Sequence, residues 1–162
     1  MRAWTVAGGV IERDGRLLLV RNRRRDGSED WSTPGGVIDP GETVLDGLTR
    51  EVEEETGLRV ASWDGPLWDV AVDAPDMGWT LRVEVYRAQD HHGDVTVDDP
   101  DGIVVDAAWQ DLPGCETCLG TAWRPAHEPM LAWLRERWTD RRAFRYRLDG
   151  SERAAATVVR LD

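Results

Sequence analysis

Lysine is absent from this chain of 162 residues: all 20 basic residues are arginine, set against 31 acidic ones, for a formal net charge of −11. So acidic a surface excludes general binding to long nucleic acid or to anionic membrane, because both draw their affinity from clustered positive charge. The missing lysine is read as compositional bias rather than chemistry. Apolar runs long enough to span a membrane are also missing. The opening Met1-Arg2-Ala3-Trp4-Thr5-Val6 reaches the charged Glu12-Arg13-Asp14 without the apolar stretch of a signal peptide. A cytoplasmic protein of one domain, with a real core, is the expectation. Cysteine is scarce: Cys115 and Cys118 are the only two. A zinc site there needs two more ligands, which only His91, His92 and His127 can supply. A redox CxxC opens a helix after a strand, whereas this one follows Leu112-Pro113-Gly114, so the segment reads as a loop.

What is present has no internal repeat. Thr5–Ile11 and Arg16–Arg21 read as strands around an Asp14-Gly15 hairpin turn. A polar loop, Asn22 to Asp30, carries Arg23-Arg24-Arg25 and leads into Trp31-Ser32-Thr33-Pro34-Gly35-Gly36. Thr43–Thr56 reads as a helix, with Thr43 as N-cap, Asp46 three residues on, and Gly57 suited to the left-handed position after it. Strand-like runs follow at Leu58–Trp63, Leu67–Val72, Thr80–Ala88 and Ile103–Trp109. Pro125–Trp138 is a second helix, with Met130, Leu131, Leu134 and Trp138 on one face. Ala143–Leu148 and Ala154–Leu161 around Asp149-Gly150 form a last hairpin, which extends the sheet, packs on the domain or pairs with a second subunit.

The chemistry concentrates in the first helix. At about 100° per residue, Glu51, Glu54 and Glu55 share an arc of roughly 100° with Arg50 at its edge. Val44, Leu45, Leu48 and Val52 take the adjoining arc toward the core, and Glu53 points away from both. Carboxylates at i, i+3 and i+4 repel one another. Beside a buried stripe they cannot all spread into water, and a divalent cation relieves the repulsion. Hard oxygen donors suit Mg²⁺ or Mn²⁺. Gly47, on the same face, costs the helix about 1 kcal/mol against alanine and lets a neighbouring loop approach.

From Gly36 to Leu58 the chain reads GVIDPGETVLDGLTREVEEETGL. It resembles the Nudix box, G-x5-E-x7-R-E-U-x-E-E-x-G-U with U aliphatic, at every fixed position: Gly36, Glu42, Arg50, Glu51, Val52, Glu54, Glu55, Gly57 and Leu58. The seven invariant residues among these make a chance match rarer than about one in a million. The Trp31–Gly36 entry and the later Trp109-Gln-Asp-Leu112-Pro113 stretch resemble the family too. The resemblance implies an α/β fold, an α/β/α sandwich around a mixed β-sheet, over residues 1–138, with residues 139–162 a C-terminal hairpin extension of the same domain.

It also implies a Mg²⁺-dependent hydrolase of phosphoanhydride bonds. Glu51, Glu54 and Glu55, with the carbonyl of Gly35, are the implied metal ligands, Mn²⁺ being an alternative ion. Glu42 and Arg50 are implied as a pair orienting them. The general base is Glu51 or a later acid, from Asp98-Asp99-Pro100-Asp101-Gly102 or at Asp106. Arg23, Arg24 and Arg25 either hold substrate phosphates or are solvated, and Trp31 either stacks on a base or packs in the core; Trp4, Trp68 and Trp79 are equally open. Val37 stands where enzymes of the MutT type commonly carry a lysine, and Pro75 sits at an offset that does not fit the proline of many ADP-ribose pyrophosphatases. A nucleoside triphosphate ranks first as the nucleotide substrate, ADP-ribose or a nucleotide sugar second, capped RNA third. The competing class is a non-catalytic nucleotide-sensing module, against which all box glutamates are present. The expected partners are the nucleotide and, for the hairpin, a second copy in a homodimer.

Overall fold

The computed structural model of the chain describes residues 1–120 and 122–162. Among these residues ten strands form two sheets. In the larger, the spatial order is β10 (Thr157–Arg160), β9 (Arg142–Asp149), β6 (Arg59–Ala74), β7 (Trp79–His92), β1 (Arg2–Val10) and β5 (Gly35–Val37). It is mixed: β1 runs parallel to β7 and β9 parallel to β6, while the other neighbours are antiparallel. In the smaller sheet β3 (Arg16–Arg23) pairs with β2 (Glu12–Arg13), β4 (Glu29–Ser32) and β8 (Val104–Gln110).

Strand alternation builds two cores, one on each side. Leu18 and Ile11 turn toward helix α1 (Val44–Thr56), joining Ala7, Leu48, Val52 and Leu58. Their neighbours Val10, Leu17 and Leu19 turn the other way, toward α2 (Leu112–Leu119) and α3 (Arg124–Glu136). There Trp68 packs against both Trp133 and Trp138, with ring centroids 6.1 and 5.8 Å away. The result is an α/β/α sandwich. Among the described residues no helix is long and apolar enough to cross a membrane.

Four local readings are corrected. Part of the polar loop is strand: Glu29–Ser32 pairs with β3, and the turn shrinks to Arg24–Ser28, closed by Arg24 N–H donating to Ser28 O at 2.8 Å. The two runs from Leu58 to Val72 are one strand, because Gly65-Pro66 bulges between the pairs Asp64–Arg87 and Trp68–Val85 instead of ending the ladder. The Cys115–Cys118 segment is helix α2, not loop: Asp111 caps it by accepting from Gly114 N at 2.9 Å, and Pro113 suits its first turn. Both thiols are free, and burial pushes the Cys115 thiol up to about 11. Leu45, placed on the core side, is 38% exposed, since it lies in the first turn of α1 ahead of the residues that meet the sheet.

The C-terminal hairpin continues the main sheet. β9 lies alongside β6 and buries Phe144, Tyr146 and Leu148 in the larger core, and β10 forms the edge.

Candidate active site

Helix α1 carries the acidic group. Thr43 Oγ1 accepts from Asp46 N at 3.1 Å to start it, and Gly57, at φ +77°, ends it. Trp63 Nε1 donates to Thr49 Oγ1 at 2.9 Å, tying the helix to β6. Glu55 follows Leu48 by seven residues and Val52 by three, so it lies within the buried stripe, with only 6% of the residue exposed. Gly35 N donates to its Oε1 at 3.1 Å. Burial pushes the Glu55 carboxyl up to about 8; the Gly35 N–H opposes this, while the charges of Glu51, Asp99 and Glu54 add to it. Burial also raises Glu51, with Arg50 opposing and Glu54 and Asp101 adding.

Arg50 is the hub. Its guanidinium grips Glu42 bidentately, Nε to Oε2 at 2.8 Å and Nη2 to Oε1 at 2.9 Å. Nη1 donates to Glu51 and to Glu54 at 3.2 Å each. Glu42 also accepts from Asp39 N at 3.0 Å, and these hydrogen bonds, Arg50 first, lower its carboxyl to about 2. Glu53 stands apart, exposed and 3.4 Å from Arg59. At Gly47 an added Cβ falls 2.7 Å from Ile38 Cδ1 and 3.1 Å from Glu42 Oε1, so the preceding loop closes onto the helix where the side chain is missing.

Gly36 has a sharper requirement. A Cβ there falls 2.7 Å from the carboxyl carbon of Glu51. Because Glu51 is a movable side chain, Gly36→Ala is expected to fold and to displace that carboxylate. Turnover should drop by about tenfold to a hundredfold, the effect of misplacing a reacting group by about 1 Å. Steady-state kinetics beside a thermal melt check this; an unchanged kcat excludes a working role for Glu51.

A cavity of about 640 Å³ opens beside this group. Glu51, Glu55, Asp99 and Asp101 line it, over an apolar floor that includes Val6, Val70, Val83 and Val85. Of the later acids, Asp99 and Asp101 therefore line the cavity, Asp99 also accepting from Ile103 N at 3.1 Å and Val104 N at 2.9 Å. Asp106 does not: it lies on β8, 3.8 Å from Arg21, and caps Ala107 N at 2.9 Å. Arg23 is turned outward onto Glu29 at 3.1 Å, and Arg24 lines the cavity in its place, bound to Asp30 by two hydrogen bonds of 2.8 and 2.9 Å. Trp31 packs against the larger core, outside the cavity wall. Asn22, Trp123 and Arg153 line the cavity and were not singled out from sequence. For Asn22 the signal was present, since alternation along β3 places it on the same side as Val20. For Trp123 and Arg153 no local signal exists.

Residues 1–134 match the family pattern of the NUDIX domain. Among curated proteins, the chain is 50% identical over 56 residues to a MutT-like protein of Streptomyces ambofaciens, covering 35% of this chain and 34% of that one. It is 28% identical over 94 residues to the CTP pyrophosphohydrolase of Escherichia coli K12, covering 57% and 67%. The chain spans about a third of the length of the first curated relatives it matches. Among solved structures, it is similar to a MutT NUDIX hydrolase from Burkholderia pseudomallei at 30% identity, with a TM-score of 0.61 over 70% of this chain and 87% of that one. The solution structure of the E. coli ORF135 protein, at 23% identity, shares the fold with a TM-score of 0.67 over 86% and 96%. The sandwich and its acidic helix are thus those of a NUDIX domain. The chain belongs to the NUDIX domain family.

Proposed function

We propose that this Nudix protein is a Mg²⁺-dependent pyrophosphohydrolase that cleaves a phosphoanhydride bond of a nucleotide, a nucleoside triphosphate first. The observation that carries the reading is the placement of Glu51 and Glu55, half-buried and buried carboxylates on one helix face, in the wall of a nucleotide-sized cavity. Relatives named MutT-like, CTP pyrophosphohydrolase and, in Methanocaldococcus jannaschii at 40% identity over 50 residues, ADP-ribose pyrophosphatase support the substrate class.

The donor set fits a divalent cation. Among the described residues no three carboxylate, imidazole or thiol groups converge as a finished cage. Burial is what chiefly pushes the Glu55 carboxyl up to about 8, with the charges of Glu51, Asp99 and Glu54 adding to it, and a cation at this group would offset both. Glu51, Glu54 and Glu55 would hold Mg²⁺, or Mn²⁺, beside Gly35, whose N–H already orients Glu55. Bound there, the ion supplies neutralisation of phosphoanhydride oxygens and acidification of water. The chain's own residues do the rest. Arg50 and Glu42 fix the carboxylate rotamers, Gly36 leaves room for Glu51, and Glu51 or Asp101, both facing the cavity, accepts the proton from the attacking water.

Turnover of a panel of nucleoside triphosphates, ADP-ribose and nucleotide sugars with Mg²⁺ or Mn²⁺ tests the reading, with products separated into phosphate, pyrophosphate and nucleoside monophosphate. Excess EDTA should abolish activity and added Mg²⁺ restore it. Undiminished turnover in EDTA sinks the metal assignment; no turnover of any panel member leaves a nucleotide-sensing module.

A further inference from the structure

Arg153 reaches the cavity from outside the family pattern. It belongs to a short 3-10 turn, Arg153–Ala155, between β9 and β10, well past residue 134, where the NUDIX match ends. The turn is fixed in place. Gly150 N donates to Asp76 Oδ2 at 3.0 Å, Ala155 N to Glu152 O at 3.1 Å, and Ala156 packs against the larger core. The Arg153 guanidinium carbon lies 5.2 Å from the Trp123 ring centroid, in reach of a cation–π contact. Trp123 itself is partly buried just before α3, and both side chains line the cavity.

The surroundings say what this wall can bind. Arg24 is already neutralised by its two hydrogen bonds to Asp30. Asp30 is held below the usual carboxylate range: burial works against this, but Arg24, Asn22 and the charge of Arg153 outweigh it. The adjoining floor, with Val70, Val83 and Met130, is apolar. Such a floor suits a planar, uncharged group and is a poor place for a polyphosphate. A guanidinium only donates, so it reads acceptor atoms such as carbonyl oxygens and unprotonated ring nitrogens.

We propose that Arg153 and Trp123 form a clamp for the nucleobase of the substrate, with the indole backing the guanidinium while its N–H groups donate to acceptors on the base. This rests on the nucleotide reading above and adds a specificity-determining residue supplied by the C-terminal hairpin.

The test compares the whole protein with Arg153→Ala and Arg153→Lys. Calorimetry measures binding of the four ribonucleoside diphosphates and of inorganic tripolyphosphate with Mg²⁺. Arg153 is exposed, so both variants should melt as the wild type does. For the tightest nucleotide, Arg153→Ala is expected to weaken binding by roughly tenfold or more, the value of one hydrogen bond from a charged donor. Tripolyphosphate affinity should stay within about twofold, because that ligand has no base to be held by a hydrogen bond. Arg153→Lys keeps the charge but not the planar fork and should remain several-fold weak. In turnover, the loss should appear in KM, with kcat nearly unchanged. Equal losses for tripolyphosphate make Arg153 a phosphate ligand and overturn the clamp, as do full affinity in Arg153→Ala or Arg153→Lys, or no nucleotide binding at all. Nucleotides that bind through Arg153 but are never hydrolysed overturn the catalytic reading alone.

Discussion

Glu55→Gln is expected to lower turnover by roughly a hundredfold or more, while Glu53→Gln, two positions earlier in the same acidic run, leaves it within a few-fold. The two glutamates differ in what surrounds them. Glu53 is exposed, its side chain 3.4 Å from Arg59. Glu55 is buried in line with Leu48 and Val52 and faces the cavity beside Glu51. A glutamine at 55 retains the shape and an oxygen for Gly35 N–H, so what it removes is the charge offered to a cation. A bound divalent ion is worth several kcal/mol to a phosphoanhydride transition state, and each 1.36 kcal/mol lost is tenfold in rate. Raising the Mg²⁺ concentration should restore part of the loss. Steady-state kinetics on both purified variants check this. Equal activity in the two, with the fold intact, removes the catalytic role from this helix face.

The contrast between those two positions was legible in the sequence, because helical periodicity alone separates residue 53 from residues 51, 54 and 55. So were the Thr43 and Gly57 caps, which are local chemistry. What was not legible depended on partners far along the chain. Glu55 was placed beside the buried stripe and lies within it, since its burial is set by β5, whose Gly35 approaches across twenty residues. Arg23 and Arg24 are indistinguishable as sequence; the register of β3 against β4 pairs Arg23 with Glu29 and turns it outward, while Arg24, just past the end of β3, lines the cavity. Asp101 and Asp106 are separated in the same way, by the pairing of β8 with β3. Trp123 and Arg153 meet only because β9 docks beside β6, a parallel pairing that the hairpin's own pattern does not reveal.

The charge that makes Glu55 useful should also make the metal-free protein pH-sensitive, in the sense opposite to acid denaturation. Its carboxyl is at about 8 in the folded chain, chiefly through burial, against an ordinary value of 4.5 once unfolded. Below about pH 4.5 both states hold the proton, and the stabilisation linked to that proton is fully present. As pH rises from there toward 8, the unfolded chain ionises freely while the folded one still holds its proton, so stability is lost across that window and levels off above it. At 1.36 kcal/mol per unit, the loss is on the order of 3–5 kcal/mol, a large share of a small domain's total. Glu55→Gln removes the ionisation and keeps the hydrogen bond to Gly35 N, so the variant should melt higher than the wild type at pH 8 in EDTA, with the gap closing toward pH 4.5. Added Mg²⁺ should close it at pH 8 as well, by stabilising the wild type alone in proportion to its binding. Urea unfolding of both proteins at pH 5, 6.5 and 8, with and without Mg²⁺, measures all of this. A wild type as stable as Glu55→Gln at pH 8 without metal means that Glu55 ionises in the folded chain at no cost, which contradicts its burial.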